Sequence, residues 1–512
     1  MNICLRLCSQ GQGAKISFSL LVLEEISRYE IQRILAMLFC IAFYLIFCDK
    51  TNQNIFFDED VMKKDLIRRI TLTEKEMPTA WYNIQADIDD LPQYLHPQTL
   101  QPITEADLAP IFPPEIIKQE LSKERYIEIP DEVQDIYHTY RPTPLHRAYG
   151  LERVLGTPAK IYYKYEGGNA TGSHKLNSAV PQVYYNKIAG IKRLTTETGA
   201  GQWGAALSMA CGHFGIESLV YMTKNSFVNK PGRRTFMNAF GGEVVASPST
   251  LTKAGRDVLA KDPDCGGSLG IAISEAVEDA LGRDDTNYAL GSVLNHVAMH
   301  QTIIGLETQK QFEKIDEYPD VVIACVGGGS NFAGLTFPYM RDKIAGKANP
   351  RIIAVESTAA PSLTKGVYAY DYTDVGHMCP IAKMYTMGAS FMPKGTHAGG
   401  LRYHGMNPII SKLYHDKMME AVAYDQFDTL QAGLLFSQAE GIVPAPESTH
   451  AVKGAIVEAL KAKEEGKEKT IVFCLSGHGY FEMYAYEAFL KKQLGDSSTD
   501  EHAVALEFLP KV

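Results

Sequence analysis

The stretch Tyr165–Asn177 (Tyr-Glu-Gly-Gly-Asn-Ala-Thr-Gly-Ser-His-Lys-Leu-Asn) decides how the rest of the chain is interpreted. It follows Lys160–Lys164, whose β-branched and aromatic residues predict a strand, and precedes the apolar-periodic run Ser178–Ile188, which predicts a helix. Lys175 is therefore expected at a glycine-rich strand-to-helix turn, where backbone amides and a helix start favour an anion. A lysine beside a bound phosphate is what an aldehyde cofactor such as pyridoxal 5'-phosphate requires. Taken alone, the stretch is also compatible with a surface lysine after a flexible loop.

Composition and charge place the chain among globular proteins. Its 512 residues suggest two or more domains. A formal charge of -10 is modest for this length and argues against a nucleic-acid partner. The nine cysteines show no Cys-x-x-Cys pair and no zinc-type spacing, so we expect no metal site. The same scatter favours reduced thiols in the cytoplasm over a disulfide framework.

Residues 1–61 differ from everything that follows. They hold four of the nine cysteines and the wholly apolar or aromatic run Ile34–Cys48. About fifteen residues is short for a membrane span, and no small-residue cleavage site follows it. Three interpretations remain: a membrane anchor, a targeting segment, or upstream sequence translated from a start placed too early. The natural beginning at Met62 favours the last.

After a proline-rich arm at residues 62–150, predicted strands alternate with predicted helices. The arm itself contains the short helical pattern Glu115–Ser122. The predicted strands are Lys192–Thr196, Ser218–Met222, Gly242–Ala246, Val321–Val326, Arg351–Val355 and Thr470–Leu475. The predicted helices between them are Gly204–Phe214, Arg233–Phe240 and His296–Lys314. This alternation predicts an α/β fold with a mostly parallel sheet, whose ligands bind at the carboxyl ends of the strands.

Two glycine-rich motifs fall where such a sheet binds ligands. Glu197–Gly204 follows a strand, and its small residues suit the carboxylate of an amino-acid substrate. Glu197 is expected to act as an acid or base on that substrate. The alternative is that Glu197 caps the following helix. Gly327–Asn331 follows the predicted strand Val321–Val326 and forms an amide nest suited to a phosphate dianion. A dinucleotide site would need G-x-G-x-x-G, but Phe332 stands at the last position. The alternative for this motif is a tight structural turn.

Ser476 ends the last predicted strand, where its hydroxyl is placed to meet a cofactor's pyridine nitrogen. Because a hydroxyl is a weak acid, the ring stays neutral, which favours elimination at the β-carbon over transamination. The alternative is a strand followed by an ordinary turn.

These motifs, in this order, resemble those of tryptophan synthase β chains. The resemblance covers residues 66–512 and rests on five segments: Asn169–Asn177, Glu197–Gly204, Gly327–Asn331, Glu440–Ala445 and Ser476–Gly477. The long arm and His397–His404 resemble the second, longer branch of the family. The resemblance implies fold type II of the pyridoxal-phosphate enzymes, with two doubly wound α/β domains and the cofactor in the cleft between them. We expect these domains at residues 151–300, with the cofactor lysine and a mobile subdomain, and at residues 301–512, with the phosphate loop.

The resemblance also implies the reaction and its residues: replacement of the L-serine hydroxyl by indole, giving L-tryptophan and water. Lys175 is expected to bond the cofactor and move the α-proton. Glu197 is expected to assist departure of the hydroxyl and then stabilise positive charge on the indole nitrogen. The substrate carboxylate is expected at Thr198, Gly199, Ala200, Gly201 and Gln202. The remaining cofactor contacts are expected from His174, Asn177, Gly327, Gly328, Gly329, Ser330, Asn331, Glu440 and Ser476.

One position departs from the more familiar branch, which has an aspartate in the loop that closes over the substrate. Arg402 occupies that position here, and an arginine donates to anions but cannot accept a hydrogen bond. Arg402 is therefore a substrate-binding candidate suited to O-phospho-L-serine, or else it forms a different closing salt bridge. A homodimer, a tryptophan synthase α-chain partner and a monovalent cation are implied by resemblance only.

Three rival functions follow from the same sequence. The nearest is another fold type II enzyme that deaminates serine or threonine. A membrane-tethered binding protein without activity is suggested by Ile34–Cys48 but disfavoured by the intact Lys175. A nicotinamide oxidoreductase is the weakest, because the Gly327 loop lacks the dinucleotide pattern.

Overall fold

The computed structural model describes residues 67–499, 505–506 and 509–512, so the predictions for residues 1–61 and the start at Met62 lie outside the described residues. The strands of the described part, numbered in chain order, are β1 Arg69–Ile70, β2 Ala80–Tyr82, β3 Tyr126–Glu128, β4 Leu145–Arg147, β5 Lys160–Tyr165, β6 Arg193–Thr198, β7 Glu217–Thr223, β8 Glu243–Ser247, β9 Thr286–Tyr288, β10 Val321–Cys325, β11 Arg351–Ser357, β12 Val367–Tyr372, β13 Ile381–Thr386, β14 Glu420–Tyr424 and β15 Thr470–Leu475.

Helices fill most of the sequence between these strands. The α-helices are α1 Glu105–Leu108, α2 Pro114–Leu121, α3 Asp131–His138, α4 Tyr149–Leu155, α5 Leu176–Ile188, α6 Gln202–Phe214, α7 Lys224–Asn229, α8 Pro231–Ala239, α9 Lys253–Lys261, α10 Leu269–Leu281, α11 Asn295–Gln301, α12 Ile303–Glu313, α13 Ser330–Ile344, α14 Ser362–Lys365, α15 Pro408–His415, α16 Gln426–Glu440, α17 Ser448–Glu465 and α18 Met483–Leu490. Short 3₁₀ turns occur at Glu74–Glu76, Ile84–Asp87 and Gly399–Leu401. Within the described ranges, no helix combines the length and apolar character that crossing a membrane would need.

The larger sheet has seven strands in the order β1-β4-β5-β15-β10-β11-β14. The five strands from β5 to β14 run parallel, and β4 and β1 continue the sheet antiparallel at the β5 edge. Every residue of β10 and β15 is buried. Continuous apolar runs of this kind are typical of parallel strands covered on both faces.

The smaller sheet is built from four parallel strands in the order β8-β7-β6-β9. In this sheet Glu197 of β6 is aligned with Tyr221 of β7, and Thr195 is aligned with Tyr288 of β9. Two further pairs, β2 with β3 and β12 with β13, are antiparallel.

The arm before residue 150 contributes to the core. Trp81, Tyr82 and Tyr137 are fully buried in the same cluster as side chains of β7 and β10. The main-chain N–H of Tyr82 donates to Thr302 Oγ1 at 2.9 Å. The arm therefore packs onto the α/β body.

The predicted strands, and the predicted helices other than His296–Lys314, match the observed elements to within two residues. The predicted helix His296–Lys314 is wrong as a single element, because α11 and α12 meet at Thr302. The Thr302 hydroxyl donates to the carbonyl of Met299 while accepting from Tyr82, so it holds the arm at this break. The proposed boundaries at residues 150 and 300 stay predictions.

Candidate active site

A single cavity lies where strands of both sheets end, and it has an empty volume of about 820 Å³, part of it open to solvent. Its wall is formed by Ser173, His174, Lys175, Glu197, Thr198, Gly199, Ala200, Gln202, Trp203, Leu269, Gly291, Ser292, Val293, Cys325, Gly327, Gly328, Gly329, Ser330, Asn331, Gly399, Gly400, Leu401, Tyr403, Ala445, Glu447, Ser476 and Gly477. Most of the residues predicted from the sequence are therefore brought together.

Lys175 stands between β5 and α5, at the N-cap of the helix. Its Nζ donates to the carbonyl of Gly291 at 3.3 Å. Burial lowers the pKa of this amine, while the nearby carboxylates of Glu197 and Glu447 raise it in part. A buried amine that loses its proton more readily is a better nucleophile and base.

His174 joins the lysine turn to the other loops of the cavity. Its main-chain N–H donates to the carbonyl of Ser476 at 2.9 Å, and its Nε2 lies 3.5 Å from Ser330 Oγ. Burial and the neighbouring Lys175 lower the pKa of this imidazole to about 3. His174 is therefore neutral at physiological pH, with one ring nitrogen directed to the serine of the glycine loop.

Glu197 is buried near the carboxyl end of β6. Parallel sheets bind their ligands at this end of the strands. Its Oε2 accepts a hydrogen bond of 2.6 Å from the Tyr288 hydroxyl. Burial raises the pKa of the carboxyl to about 7, although Tyr288, the main-chain N–H of Gly291 and the charge of Lys175 all oppose that rise. A carboxyl with this pKa both donates and accepts protons near neutrality.

The Gly327–Asn331 loop connects β10 to α13 and has room for backbone only. A Cβ on Gly327 would lie 2.4 Å from the carbonyl oxygen of Gly400, and Gly329 has a φ of +113° at the start of the helix. The Asn331 Oδ1 atom is buried and has no hydrogen-bond partner among the described residues. Because a fifteen-residue helix starts here, the loop suits a phosphate group.

Ser476 follows β15, which is the neighbour of β10 in the larger sheet. Its Oγ lies 2.7 Å from Ser448 Oγ and 3.7 Å from Cys325 Sγ. A phosphorylated pyridine aldehyde needs a hydroxyl near its ring nitrogen, a nucleophilic amine and a phosphate loop. Ser476, Lys175 and the Gly327–Asn331 loop provide these three groups. These residues therefore fit pyridoxal phosphate.

Four sequence-predicted residues are not part of the cavity wall. Gly201 caps the start of α6 behind Ala200. Asn177 lies two residues after Lys175 in the first turn of α5, and its side-chain amide contacts Arg141 and Glu166 at 2.8 and 3.0 Å. The direct contacts expected of Gly201 and Asn177 stay predictions.

Glu440, which is expected near the cofactor ring, does not line the cavity. It is the last residue of α16, and its carboxylate accepts a 2.8 Å hydrogen bond from the main-chain N–H of Leu151 at the start of α4. Glu447, seven residues on, lines the cavity instead and accepts hydrogen bonds from the main-chain N–H of Gly400 at 2.8 Å and Gln202 Nε2 at 3.0 Å. The cofactor contact expected of Glu440 stays a prediction.

Arg402 lies in a smaller neighbouring cavity of about 290 Å³. That cavity shares Gly199, Leu269 and Gly399 with the main one. One Nη of Arg402 donates to the carbonyl of Pro393 at 3.2 Å, whereas its buried Nε has no partner among the described residues. Burial alone lowers the pKa of this guanidinium.

A third cavity, of about 550 Å³, is almost entirely apolar and adjoins the main one through Val293 and Tyr403. Tyr288, the hydrogen-bond partner of Glu197, lies in its wall. Its remaining lining residues are Tyr94, Ile103, Leu108, Ile111, Phe112, Glu120, Ile273, Leu290, Leu294, Thr373, Cys379 and Pro380. This cavity could not be predicted from the sequence, because its residues come from the arm, α10, and the β9 and β12–β13 regions.

Two further observations concern possible metal ligands and thiols in the described part of the chain. Within it, no group of three or more histidine, cysteine, aspartate or glutamate side chains is arranged to hold a metal ion. Its five cysteines are buried free thiols.

Comparison with known proteins agrees with this site. Residues 136–477 match the family model described as "Pyridoxal-phosphate dependent enzyme". A protein of Methanosarcina mazei named tryptophan synthase beta chain 2 is 55% identical over 427 residues, covering 83% of this chain and 97% of its own length. A Thermotoga maritima protein of the same name is 56% identical over 418 residues, covering 81% of this chain and 99% of its own.

The chain belongs to the tryptophan synthase β-chain family. As a member of this family it is a pyridoxal-phosphate-dependent lyase, which confirms the predicted enzyme class and cofactor.

Solved structures confirm the fold of this tryptophan synthase β-chain family member. An L-serine ammonia-lyase from Rhizomucor miehei aligns with a TM-score of 0.52 at 16% identity, covering 69% of this chain and 99% of that one. A threonine deaminase isoform from Solanum lycopersicum aligns with a TM-score of 0.51 at 19% identity, covering 71% and 94%. At this identity the likeness concerns the fold alone, which is fold type II as predicted.

Proposed function

We propose that this chain catalyses the replacement of the L-serine hydroxyl by indole, giving L-tryptophan and water, the last step of tryptophan biosynthesis. The observation that carries the proposal is the position of Glu197, whose carboxyl lines the polar cavity while its hydrogen-bond partner Tyr288 lines the apolar one. An amino acid in the first cavity and an apolar ring in the second would meet at this carboxyl.

In this proposal, His174, the Gly327–Asn331 loop and Ser476 hold the cofactor. The loop amides and the Ser330 hydroxyl would bind its phosphate, with neutral His174 beside them. Ser476 would donate to its ring nitrogen. Pyridoxal phosphate supplies an electron sink that makes the α-proton of a bound amino acid acidic.

Lys175 and Glu197 would carry the protons. At rest Lys175 would hold the cofactor aldehyde through its Nζ. As a free amine, which burial favours in its neutral form, it would take the serine α-proton. Glu197 gives a proton to the serine hydroxyl as the bond between the β-carbon and that oxygen breaks. As an anion it then stabilises the positive charge that develops on the indole nitrogen.

The segment from Thr198 to Gln202 would bind the substrate carboxylate. The cavity wall here is formed by Thr198, Gly199, Ala200 and Gln202. These residues lie directly before or at the start of α6, where the helix amides favour an anion. Glu447 keeps the Gln202 side chain in place by accepting its hydrogen bond.

The apolar cavity supports indole as the second substrate. Its wall is aromatic and aliphatic, apart from Glu120 and a few hydroxyl groups, which suits a flat aromatic ring with one N–H. An indole ring buried beside Glu197 would also exclude water from the β-carbon of the substrate. This exclusion matters because water at that carbon competes with indole.

Assay of the purified holoenzyme with L-serine, with and without indole, tests the proposal. We expect serine consumption that depends on indole, with one tryptophan formed for each serine used. Release of ammonia and a keto acid at the same rate without indole would instead support the serine or threonine deaminase alternative.

O-phospho-L-serine is a second candidate substrate, favoured by the half-buried Arg402. The Nε of Arg402 has no hydrogen-bond partner among the described residues. It faces a small cavity that is also lined by the hydroxyl-bearing Thr223, Ser226 and Ser268. This cavity adjoins the segment proposed to bind the substrate carboxylate at Gly199. A phosphate leaving group would satisfy this guanidinium, whereas the hydroxyl of serine would not reach its charge.

We also propose that the protein is a cytoplasmic homodimer that associates with a tryptophan synthase α chain. The family membership and the free thiols of the described part support this assembly and compartment. Light scattering of the purified protein, with and without a co-expressed α chain, tests both associations. Cell fractionation tests the compartment.

A further inference from the structure

The contact between Tyr288 and Glu197 joins two strands that are distant in sequence. β9 pairs with β6 so that Tyr288 is aligned with Thr195, two residues before Glu197 on the same face. Both side chains are buried, and the Tyr288 hydroxyl lies 2.6 Å from Glu197 Oε2. The other carboxylate oxygen, Oε1, lies 3.5 Å from the main-chain nitrogen of Gly291.

The groups that face this pair come from several elements. Lys175 of the α5 turn is the charged group whose field acts on Glu197, and its amine contacts the carbonyl of the same Gly291. Tyr403 and Cys379 face Tyr288 from its other side. Neither brings a positive charge. Two side-chain hydroxyls donate to Glu197 Oε2 in the described structure, Tyr288 at 2.6 Å and Thr196 at 3.5 Å, and Tyr288 makes the shorter hydrogen bond.

We propose that Tyr288 is the positioning residue for Glu197, occupying Oε2 as a donor so that Oε1, on the Gly291 and Lys175 side, exchanges the proton. This inference rests on the proposed function, in which Glu197 moves a proton and then stabilises indole. The phenol stays a donor throughout the neutral range, because burial and the Glu197 charge raise the pKa of Tyr288 well above its usual value.

Removing the hydroxyl has a predictable direction. A charge-assisted hydrogen bond stabilises the ionised carboxylate, so its loss raises the pKa of Glu197 further. The carboxylate also becomes free to rotate, so that either oxygen takes the proton.

The experiment compares the pH profiles of Tyr288→Phe and Tyr221→Phe. Tyr221 is the matched control, because it lies in the same sheet and its hydroxyl donates to another carboxylate, Asp279, at 2.9 Å. We expect the pH profile of kcat for tryptophan formation to move upward by about one unit in Tyr288→Phe only. An unmoved profile in Tyr288→Phe, or an equal shift in Tyr221→Phe, would overturn the inference.

A second readout does not depend on turnover. Infrared titration of the ¹³C-glutamate-labelled apoprotein, with Glu197→Gln as the reference, reports the Glu197 carboxyl directly, and we expect its midpoint to rise in Tyr288→Phe. In the Glu197→Gln background, Tyr288→Phe should change kcat less than about twofold, since the residue acts through Glu197. A larger change there, or an unshifted midpoint, contradicts the inference. If the wild-type protein makes no tryptophan, it is the proposed function that fails instead.

Discussion

The hydroxyl oxygens of Ser448 and Ser476 lie 2.7 Å apart beside the main cavity. Ser448 Oγ also accepts from the main-chain N–H of Gly477 at 3.0 Å, and its own proton has two acceptors within reach, Ser476 Oγ at 2.7 Å and the Gly477 carbonyl oxygen at 3.2 Å. When Ser448 donates to it, Ser476 keeps its proton for a pyridine nitrogen. Ser448 thereby links the start of α17 to the end of β15 at the point where the cofactor ring would lie.

Ser448→Ala should weaken cofactor binding without changing the fold. Loss of one buried hydrogen bond costs about 1 kcal/mol, so we expect the Kd for pyridoxal phosphate to rise about fivefold. Absorbance titration of the apoprotein measures it. Ser437→Ala is the control, since that hydroxyl only donates to the Gly433 carbonyl within α16. An unchanged Kd in Ser448→Ala would show that the serine pair does not act on the cofactor.

Gly327→Ala should disrupt the phosphate loop. The added Cβ would lie 2.4 Å from the Gly400 carbonyl oxygen, which is backbone and cannot turn away. We expect at least a tenfold loss of cofactor affinity, measured by the same titration. Gly495→Ala provides the comparison, because its Cβ meets nothing within 4 Å and its φ is not in the left-handed region. Equal affinities in the two variants would contradict a phosphate site at this loop.

Glu197→Gln should stabilise the protein more at high pH than at low pH. The folded pKa of about 7 exceeds the ordinary 4.5, so the folded state holds the proton more tightly and this contribution to stability is lost as pH rises from 4.5 through 7. Glutamine has no such ionisation, and the full difference amounts to about 3 kcal/mol. The melting temperature of the variant relative to wild type should therefore increase between pH 5 and pH 8. A constant or shrinking difference would mean that Glu197 does not ionise in this range.

Arg402→Ala separates the two candidate amino-acid substrates. A guanidinium that binds a phosphate leaving group contributes a charge-assisted hydrogen bond, so kcat/KM for O-phospho-L-serine should fall at least tenfold. The value for L-serine should change less than about threefold. Arg283→Ala, at a surface pair with Asp285, should alter neither. The same relative preference for the two substrates in wild type and Arg402→Ala would exclude a phosphate role for this residue.

The sequence predicted the parallel strands and the polar motifs well, because both are local signals. Apolar runs such as Val321–Cys325 and the glycine loops after them are set by neighbouring residues in the chain. The contacts between motifs were not predictable in this way. Tyr288 reaches Glu197 across 91 positions from a strand of three residues, too short to give a pattern.

The position of Glu440 outside the cavity wall has a similar physical origin. Glu440 and Glu447 are separated by the apolar residues 441–446, and only the end of α16 and the turn before α17 decide which carboxylate faces the cavity. The side chain of Asn177 also lies outside the wall, because two residues along a helix turn a side chain by more than half a revolution from Lys175. Its amide instead joins the buried Arg141 and Glu166.

The position of the covalent link to the cofactor is tested most directly by borohydride reduction of the holoenzyme followed by peptide mapping. The geometry predicts one pyridoxyl label, on Lys175, and no label and no tryptophan formation in Lys175→Ala. A label on another lysine, no label in the wild-type protein, or full turnover by Lys175→Ala with serine and indole would contradict the assignment.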